Sequence, residues 1–403
     1  MRVLLVGFMV ATFVALYVYI TKRSLTLFKA NFPQVNTKIG TNVFSFCMTL
    51  MGLSYFFYKA LLEGSESIFV KIFSHVSTLW LVVLLYSFLL FLVIDIFKII
   101  TMFLFPKINK WLMENKVFFD AILGRILLGL LVLIIVLGSF YARNVKITEY
   151  TITTNKEGLE NDSLRIAMVS DIHLGHMIGK EWTQRMVHQI NEIEPDVVLL
   201  LGDIIDDELE VVRENNMLAD IKRIDARYGV HAVAGNHEFY GGALKENPKE
   251  FFLDVVKIYE DSGINMLLDE GLLVEDSFCL IGRLDVQSEN FLDSPRKNLS
   301  ELTDDIDFSK FVILMDHQPL EIEKIARKGV DLQLAGHTHG GQMWPINYIT
   351  RFIYGQYRGM SKLENTNLII STGYGLWGPI VRVGSRSEII QIDIKGSGLD
   401  GNV

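Results

Sequence analysis

Five short stretches carry side chains able to bind metal ions or move protons. They are Asp171-Ile172-His173, Gly202-Asp203, Gly235-Asn236-His237-Glu238, Asp316-His317 and Gly336-His337-Thr338-His339. Five of the eight histidines after residue 147 lie in these stretches, and only His176, His188 and His231 lie outside. Histidines placed for packing alone would not concentrate this way. Imidazole, carboxylate and amide oxygen form a borderline ligand set, suited to Mn, Zn or Fe more than to Mg or Ca, which prefer oxygen alone. Asp-x-His and His-x-His put two ligands on alternate positions of an extended segment, and a sharp turn then aims both at one ion. The side chains collected are Asp171, His173, Asp203, Asn236, His237, His317, His337 and His339, and seven candidate ligands among them are too many for one four-coordinate ion. They suit two divalent ions sharing a carboxylate, about 3.5–4 Å apart. Such a pair clamps a phosphoryl group, holds an attacking hydroxide and neutralises the non-bridging oxygens.

Each stretch follows an apolar run of strand character: 164–170, 196–201, 230–234, 311–315 and 331–335. Further strands are expected over 272–275, 278–282, 368–371 and 388–394. Helical spacing runs over 180–193, where Trp182, Met186, Ile190 and Ile193 share a face, and over 208–224 and 250–259. Pro319 opens another helix, reaching residue 327, as proline does in a first turn. The fold class is therefore α/β. In open α/β sheets ligands bind beyond the carboxyl ends of strands, so the five polar stretches converge on one site.

The motif order, D-x-H, G-D, G-N-H-[DE], H and G-H-x-H, resembles the calcineurin-like metallophosphoesterases across residues 164–394. The fuller strings SDIHLG, GNHEFYGG, DHQP, GHTHGGQ and STGYGLWGP are most similar to the membrane-associated bacterial branch typified by YkuE and YaeI. In that branch a membrane or export segment precedes the catalytic domain. The resemblance implies a four-layer αββα sandwich. It implies one ion on Asp171, His173 and His339, and a second on Asn236, His317 and His337, with Asp203 bridging them. It also implies that His237 binds no metal, but holds the phosphate and protonates the leaving oxygen. The family often has Asp after this histidine. Here Glu238 takes that place and is the expected orienting acid, with Asp206 and Asp207 as alternatives.

Asp316 and Thr338 are expected to support the ligands, and His176 to lie on the surface. Gly340-Gly341 permits close backbone approach or a turn with positive φ. Phe239, Tyr240, Tyr374 and Trp377 read as core packing more than as a substrate mouth.

The rest of the chain differs in kind. Apolar residues make up 50% of the sequence, charged residues 21%, and mean hydropathy is +0.30. That composition excludes a disordered chain. Residues 1–147 carry 14 Lys+Arg and 5 Asp+Glu, or +9; residues 148–403 carry 24 and 42, or −18. An acidic catalytic half predicts no nucleic-acid partner held by backbone attraction. Cys47 and Cys279 cannot form a disulfide framework or a four-cysteine zinc site.

Four apolar runs near 3–21, 39–58, 72–94 and 121–142 are each long enough to span a bilayer. The first lacks a small-x-small cleavage site before Lys22-Arg23 and reads as a retained helix. Two domains follow: a four-helix, all-α transmembrane anchor over 1–147 and a catalytic domain over 148–403. The loops after the first and third runs hold Lys22, Arg23, Lys29, Lys38, Lys98, Lys107, Lys110 and Lys116, more basic residues than the opposite side holds. The positive-inside rule places those loops in the cytoplasm and both termini outside. No ionisable pair is expected deep in the bundle, so it reads as an anchor and not as a transporter.

The expectation is thus an integral protein of a bacterial cell membrane, with an extracytoplasmic metal-dependent phosphoesterase domain. Phosphodiesters or lipid-linked phosphates are the favoured substrates. The alternative is a metal-binding scaffold or receptor domain without turnover.

Overall fold

The computed structural model describes residues 2–62, 67–159, 162–206, 208–242, 247–293 and 295–397. The chain divides into two compact units, Met1–Gly138 and Ser139–Val403.

The first unit is built from α1 (Arg2–Asn31), α2 (Lys38–Phe57, prolonged by one π turn), α3 (Ile68–Leu104), the short α4 (Pro106–Glu114) and α5 (Lys116–Arg143), whose last turn enters the second unit. Among the described residues four helices are long and apolar enough to cross a membrane, within α1, α2, α3 and α5. α1 runs ten residues past the expected end at residue 21, to Asn31. Nothing in 22–31 breaks a helix, and the chain leaves helical geometry at Phe32, before Pro33. Lys22, Arg23 and Lys29 are therefore helical and not in a loop. Arg23 Nη2 lies 2.5 Å from Asp95 Oδ1 of α3, and the Tyr19 hydroxyl donates to Asp95 Oδ2 at 2.6 Å. The pair is half-buried and ties α1 to α3. α1 meets α2 at a small residue: a Cβ on Gly52 would lie 2.5 Å from the Tyr17 ring.

The described residues of the second unit form twelve strands: β1 (Lys146–Thr154), β2 (Ser163–Val169), β3 (Val197–Leu201), β4 (Val230–Val233), β5 (Ile264–Met266), β6 (Glu270–Val274), β7 (Phe278–Gly282), β8 (Phe311–Met315), β9 (Leu332–Ala335), β10 (Gly359–Leu363), β11 (Thr366–Ile370) and β12 (Glu388–Gly396). They form two six-stranded mixed sheets, ordered β1-β12-β2-β3-β4-β5 and β10-β11-β9-β8-β7-β6. Strand periodicity sorts the core. Ile166 and Met168 of β2, Leu199 of β3 and Ile313 and Met315 of β8 pack together between the sheets. Their neighbours Ala167, Val169, Val198 and Leu200 face the helices over the first sheet, while Val312 and Leu314 face those over the second. The result is the four-layer αββα sandwich. Strands buried on both faces explain the unbroken apolar runs. Truncating a side chain such as Ile313 to Ala would cost about 2–5 kcal/mol.

The helix Lys180–Ile193 forms where its spacing places it and buries Trp182, Met186, Ile190 and Ile193. Two other helices differ. The stretch 208–224 breaks into Leu209–Glu214 and a 3-10 segment Ala219–Arg223, because Asn216 takes a left-handed φ of 48°. The helix expected from Pro319 starts only at Ile322, after Glu321 at φ 54°. β1, β5 and β10 had no sequence counterpart: β1 and β10 are edge strands with many polar residues, and β5 has only three residues.

Candidate metal centre

Each candidate ligand lies at or just beyond the end of a strand, and left-handed backbone aims most of them. Asp171 (φ 54°), His173 (54°), Asp203 (51°), His337 (68°) and His339 (48°) all have positive φ. The Asp-x-His and His-x-His segments are therefore not extended, contrary to the spacing argument. A non-glycine residue in this region costs about 1–3 kcal/mol, tolerated where the surroundings over-determine it. Here backbone bonds do so. Asp171 N donates to Gly202 O at 3.1 Å, His173 N to Asp203 O at 2.9 Å and Leu174 N to Ile204 O at 2.9 Å. Gly235 has no room for a side chain, since a Cβ would lie 2.2 Å from Asp203 Oδ1.

The side chains gather into two groups around Asp203. In one, Nε2 of His173 and Nε2 of His339 are 3.1 Å apart, and His339 Nε2 is 3.4 Å from Asp171 Oδ1. In the other, His317 Nε2 lies 3.1 Å from Asp203 Oδ2, 3.2 Å from Asn236 Oδ1 and 3.2 Å from His337 Nδ1. Asp203 Oδ2 also lies 3.8 Å from His173 Nε2. Among the described residues three clusters have ligand atoms close enough for one cation: Asp171/His173/His339, His173/Asp203/His237 and Asp203/His317/His337. His237 is thus within reach of a ligand set, although the resemblance gives it no metal.

Burial would lower His317, but Asp203 outweighs it and raises the ring well above the usual imidazole range, whereas two other rings suit cations. Burial pushes His339 well below the usual imidazole range, helped by His173, and lowers His337 to about 3, helped by His317. Both rings are neutral near neutral pH and offer lone pairs. His317 Nδ1 lies 2.7 Å from Leu201 O, which leaves Nε2 facing Asp203 and Asn236. Burial opposes ionisation of Asp203, but His317 and His237 outweigh it and hold the carboxyl well below its usual range. Asp171 is raised by burial and by Asp203, against the pull of His317. Buried nitrogens and carboxylates converging at 3.1–3.8 Å form a donor set that suits divalent metal ions.

The calcineurin-like phosphoesterase family profile matches residues 164–341. A metallophosphoesterase of Aquifex aeolicus is 30% identical over 259 residues, covering 63% of this chain and 93% of that one. The chain belongs to the calcineurin-like metallophosphoesterases. A metallophosphoesterase of Campylobacter jejuni is 32% identical over 236 residues, covering 58% of this chain and 59% of the relative. A Bos taurus transmembrane protein with metallophosphoesterase domain is 29% identical over 250 residues, covering 59% and 54%. The match spans little more than half the length of these last two relatives.

Within this metallophosphoesterase Glu238 does a different job from the one its position implied. Its buried carboxylate accepts from the backbone N–H of Asp203 (2.9 Å), Ile204 (2.7 Å) and Gly235 (2.6 Å), and from the Tyr259 hydroxyl (2.7 Å). The longer glutamate arm reaches under the Asp203 loop instead of along the His237 ring. The acid beside His237 is Asp206, with Oδ1 3.1 Å from Nδ1. Burial opposes its charge, but His173 and His237 outweigh this and keep it ionised. Asp207 lies outside the described residues.

The supporting residues fall as follows. Asp316 is buried between Arg283 (3.1 Å) and Arg296 (2.5 Å). Thr338 Oγ1 donates to Tyr357 O at 2.6 Å. His176 is buried, 3.9 Å from Glu208, and is not a surface residue. Gly340 and Gly341 have φ of 58° and 75°. Phe239 stacks on Phe252 at 4.4 Å and the buried Tyr374 donates to Trp182 O, whereas Tyr240 packs on the His237 ring at 5.5 Å and Trp377 is exposed.

Two residues had escaped notice. Arg382 is fully buried and donates to the carbonyls of His339 (3.0 Å), Gly373 (3.1 Å) and Gly375 (2.7 Å). A charged residue inside the apolar run Pro379-Ile-Val-Arg382-Val was the available signal. Tyr259, on the helix Pro248–Asp261, is fully buried, and no motif marks it.

Proposed function

We propose that this chain is a membrane-anchored, dinuclear-metal phosphoesterase that hydrolyses phosphodiesters or lipid-linked phosphates. The observation that carries this is the convergence of all seven ligands around Asp203, with His237 at their edge. Asp171, His173 and His339 would hold one divalent ion, Asn236, His317 and His337 the other, and Asp203 both. Bound there, two divalent cations supply positive charge for the phosphoryl oxygens and make water acidic enough to attack near neutral pH.

The chain's own residues do the rest. Asp206 takes Nδ1 of His237, so Nε2 is the nitrogen that gives its proton to the leaving oxygen. Glu238 and Tyr259 fix the backbone that carries Asp203. The presence of His237 and Asp206 beside a full ligand set favours turnover over a passive scaffold. Residues 1–147 act as the anchor and 148–403 as the catalytic domain. Basic residues near the ends of the first and third spans, helical as they are, support an extracytoplasmic catalytic domain.

The test uses the full chain, stripped with a chelator and reloaded with Mn²⁺, Zn²⁺ or Fe²⁺. Hydrolysis of bis(p-nitrophenyl) phosphate or p-nitrophenyl phosphate with at least one ion is expected. Inactivity with every ion would sink the proposal.

A further inference from the structure

The helix Ile346–Tyr354 buries none of its residues. Phe352 is 91% exposed, Ile353 65%, and Tyr348 and Ile349 61% each. Tyr348, Ile349 and Phe352 follow helical spacing and share one face. Trp344 just before the helix, and Met360 and Leu363 on the edge strand β10, are exposed as well. Among the described residues, most large apolar side chains exposed in the second unit fall between 344 and 363. Isolated exposed apolar residues need no explanation, but a contiguous patch does.

Charge says what covers it. Between Asp331 and Glu364 there is no acidic residue, while Arg351, Arg358 and Lys362 contribute three positive charges. The surrounding half of the chain carries −18. A basic, aromatic-rich patch on an acidic domain complements an anionic headgroup layer. It would repel a second copy of itself across a two-fold axis. Among its described residues the same chain has four helices long and apolar enough to cross a membrane, so a bilayer is within its reach. The helix also adjoins the metal centre. Tyr354 packs on the His337 ring at 5.8 Å, and Asn347 lies so close to Gly341 that a Cβ there would be 2.3 Å from Asn347 Cα.

We propose that the Ile346–Tyr354 helix, with Trp344 and β10, docks into the headgroup layer of an anionic bilayer beside the mouth of the metal centre. A mouth held there meets the esters of lipids before those in bulk water. That consequence rests on the hydrolytic reading above; the docking does not.

The test places an environment-sensitive nitrobenzoxadiazole label at Phe352→Cys in the full chain carrying Cys47→Ala and Cys279→Ala. The chain is reconstituted in nanodiscs of phosphatidylcholine with or without phosphatidylglycerol. Expected are a blue shift and a loss of emission to doxyl groups on the lipid chains, strongest with phosphatidylglycerol and reversed by Arg351→Glu with Arg358→Glu. A label at Leu253→Cys should stay open to aqueous iodide. Iodide quenching at position 352 without doxyl quenching would overturn the proposal. So would lipid-independent protection accompanied by cross-linking of two Phe352→Cys copies. The emission reads docking whether or not the chain hydrolyses anything.

Discussion

Asp206 Oδ1 lies 3.1 Å from Nδ1 of His237. The same oxygen lies 3.2 Å from Nδ1 of His173, so one carboxylate orients both the proposed acid and a metal ligand. Asp206→Asn should lower kcat about 10–100-fold, the scale of such supporting contacts. Combined with His237→Ala, the loss should be less than multiplicative, because the two residues act as a unit. Fully multiplicative losses would show that Asp206 does not work through His237.

Glu238→Ala would orphan the N–H groups of Asp203, Ile204 and Gly235 and the Tyr259 hydroxyl. Each unsatisfied buried group costs about 1–3 kcal/mol. The variant should melt well below the parent and bind metal weakly. Tyr259→Phe, which removes one partner, should cost only about 1 kcal/mol. If Glu238→Ala melts no lower than Tyr259→Phe, the bracing role is wrong.

The Arg382 fork holds three carbonyls on two segments beside His339 and Asp171. A lysine cannot reproduce that geometry. Arg382→Lys should weaken metal binding about 10–100-fold, read by competition with a chelator. Unchanged affinity would reduce Arg382 to a packing residue.

These residues show what a sequence exposes. Asp171, His173 and the other candidate ligands were legible as one group because each ends an apolar strand and because histidines concentrate there. The strands were legible because both faces are buried. Asp206, Glu238 and Arg382 act through backbone groups and neighbouring rings brought together from distant stretches, and no local pattern records such contacts. Left-handed φ at five ligands is invisible for the same reason: tertiary hydrogen bonds impose it against local preference. The end of α1 was misplaced because Lys22 and Arg23 looked like a loop, whereas Asp95 of α3 gives Arg23 a half-buried partner.

His231 on β4 offers a pH test away from the centre. Its Nε2 lies 2.8 Å from Tyr228 O and its Nδ1 3.0 Å from Asn265 Nδ2. Burial lowers its pKa, only partly opposed by the Tyr228 carbonyl. The unfolded chain takes up this proton as pH falls through about 6.5, while the folded one resists. His231 therefore favours folding fully above about pH 6.5 and loses that contribution as pH falls further. His231→Gln should flatten the fall in melting temperature between about pH 7 and pH 5. Parallel curves would show that His231 does not carry the effect.

The most direct measurement is metal content and hydrolysis on the same full-length samples. The parent should hold about two divalent ions per chain. Asp203→Asn should lose metal and activity together, since Asp203 faces both ligand groups. His237→Ala should keep its metal and lose at least about 10²-fold in rate, the scale of a general acid. Equal metal loss in both variants, or hydrolysis that survives Asp203→Asn, would contradict a dinuclear centre built on Asp203.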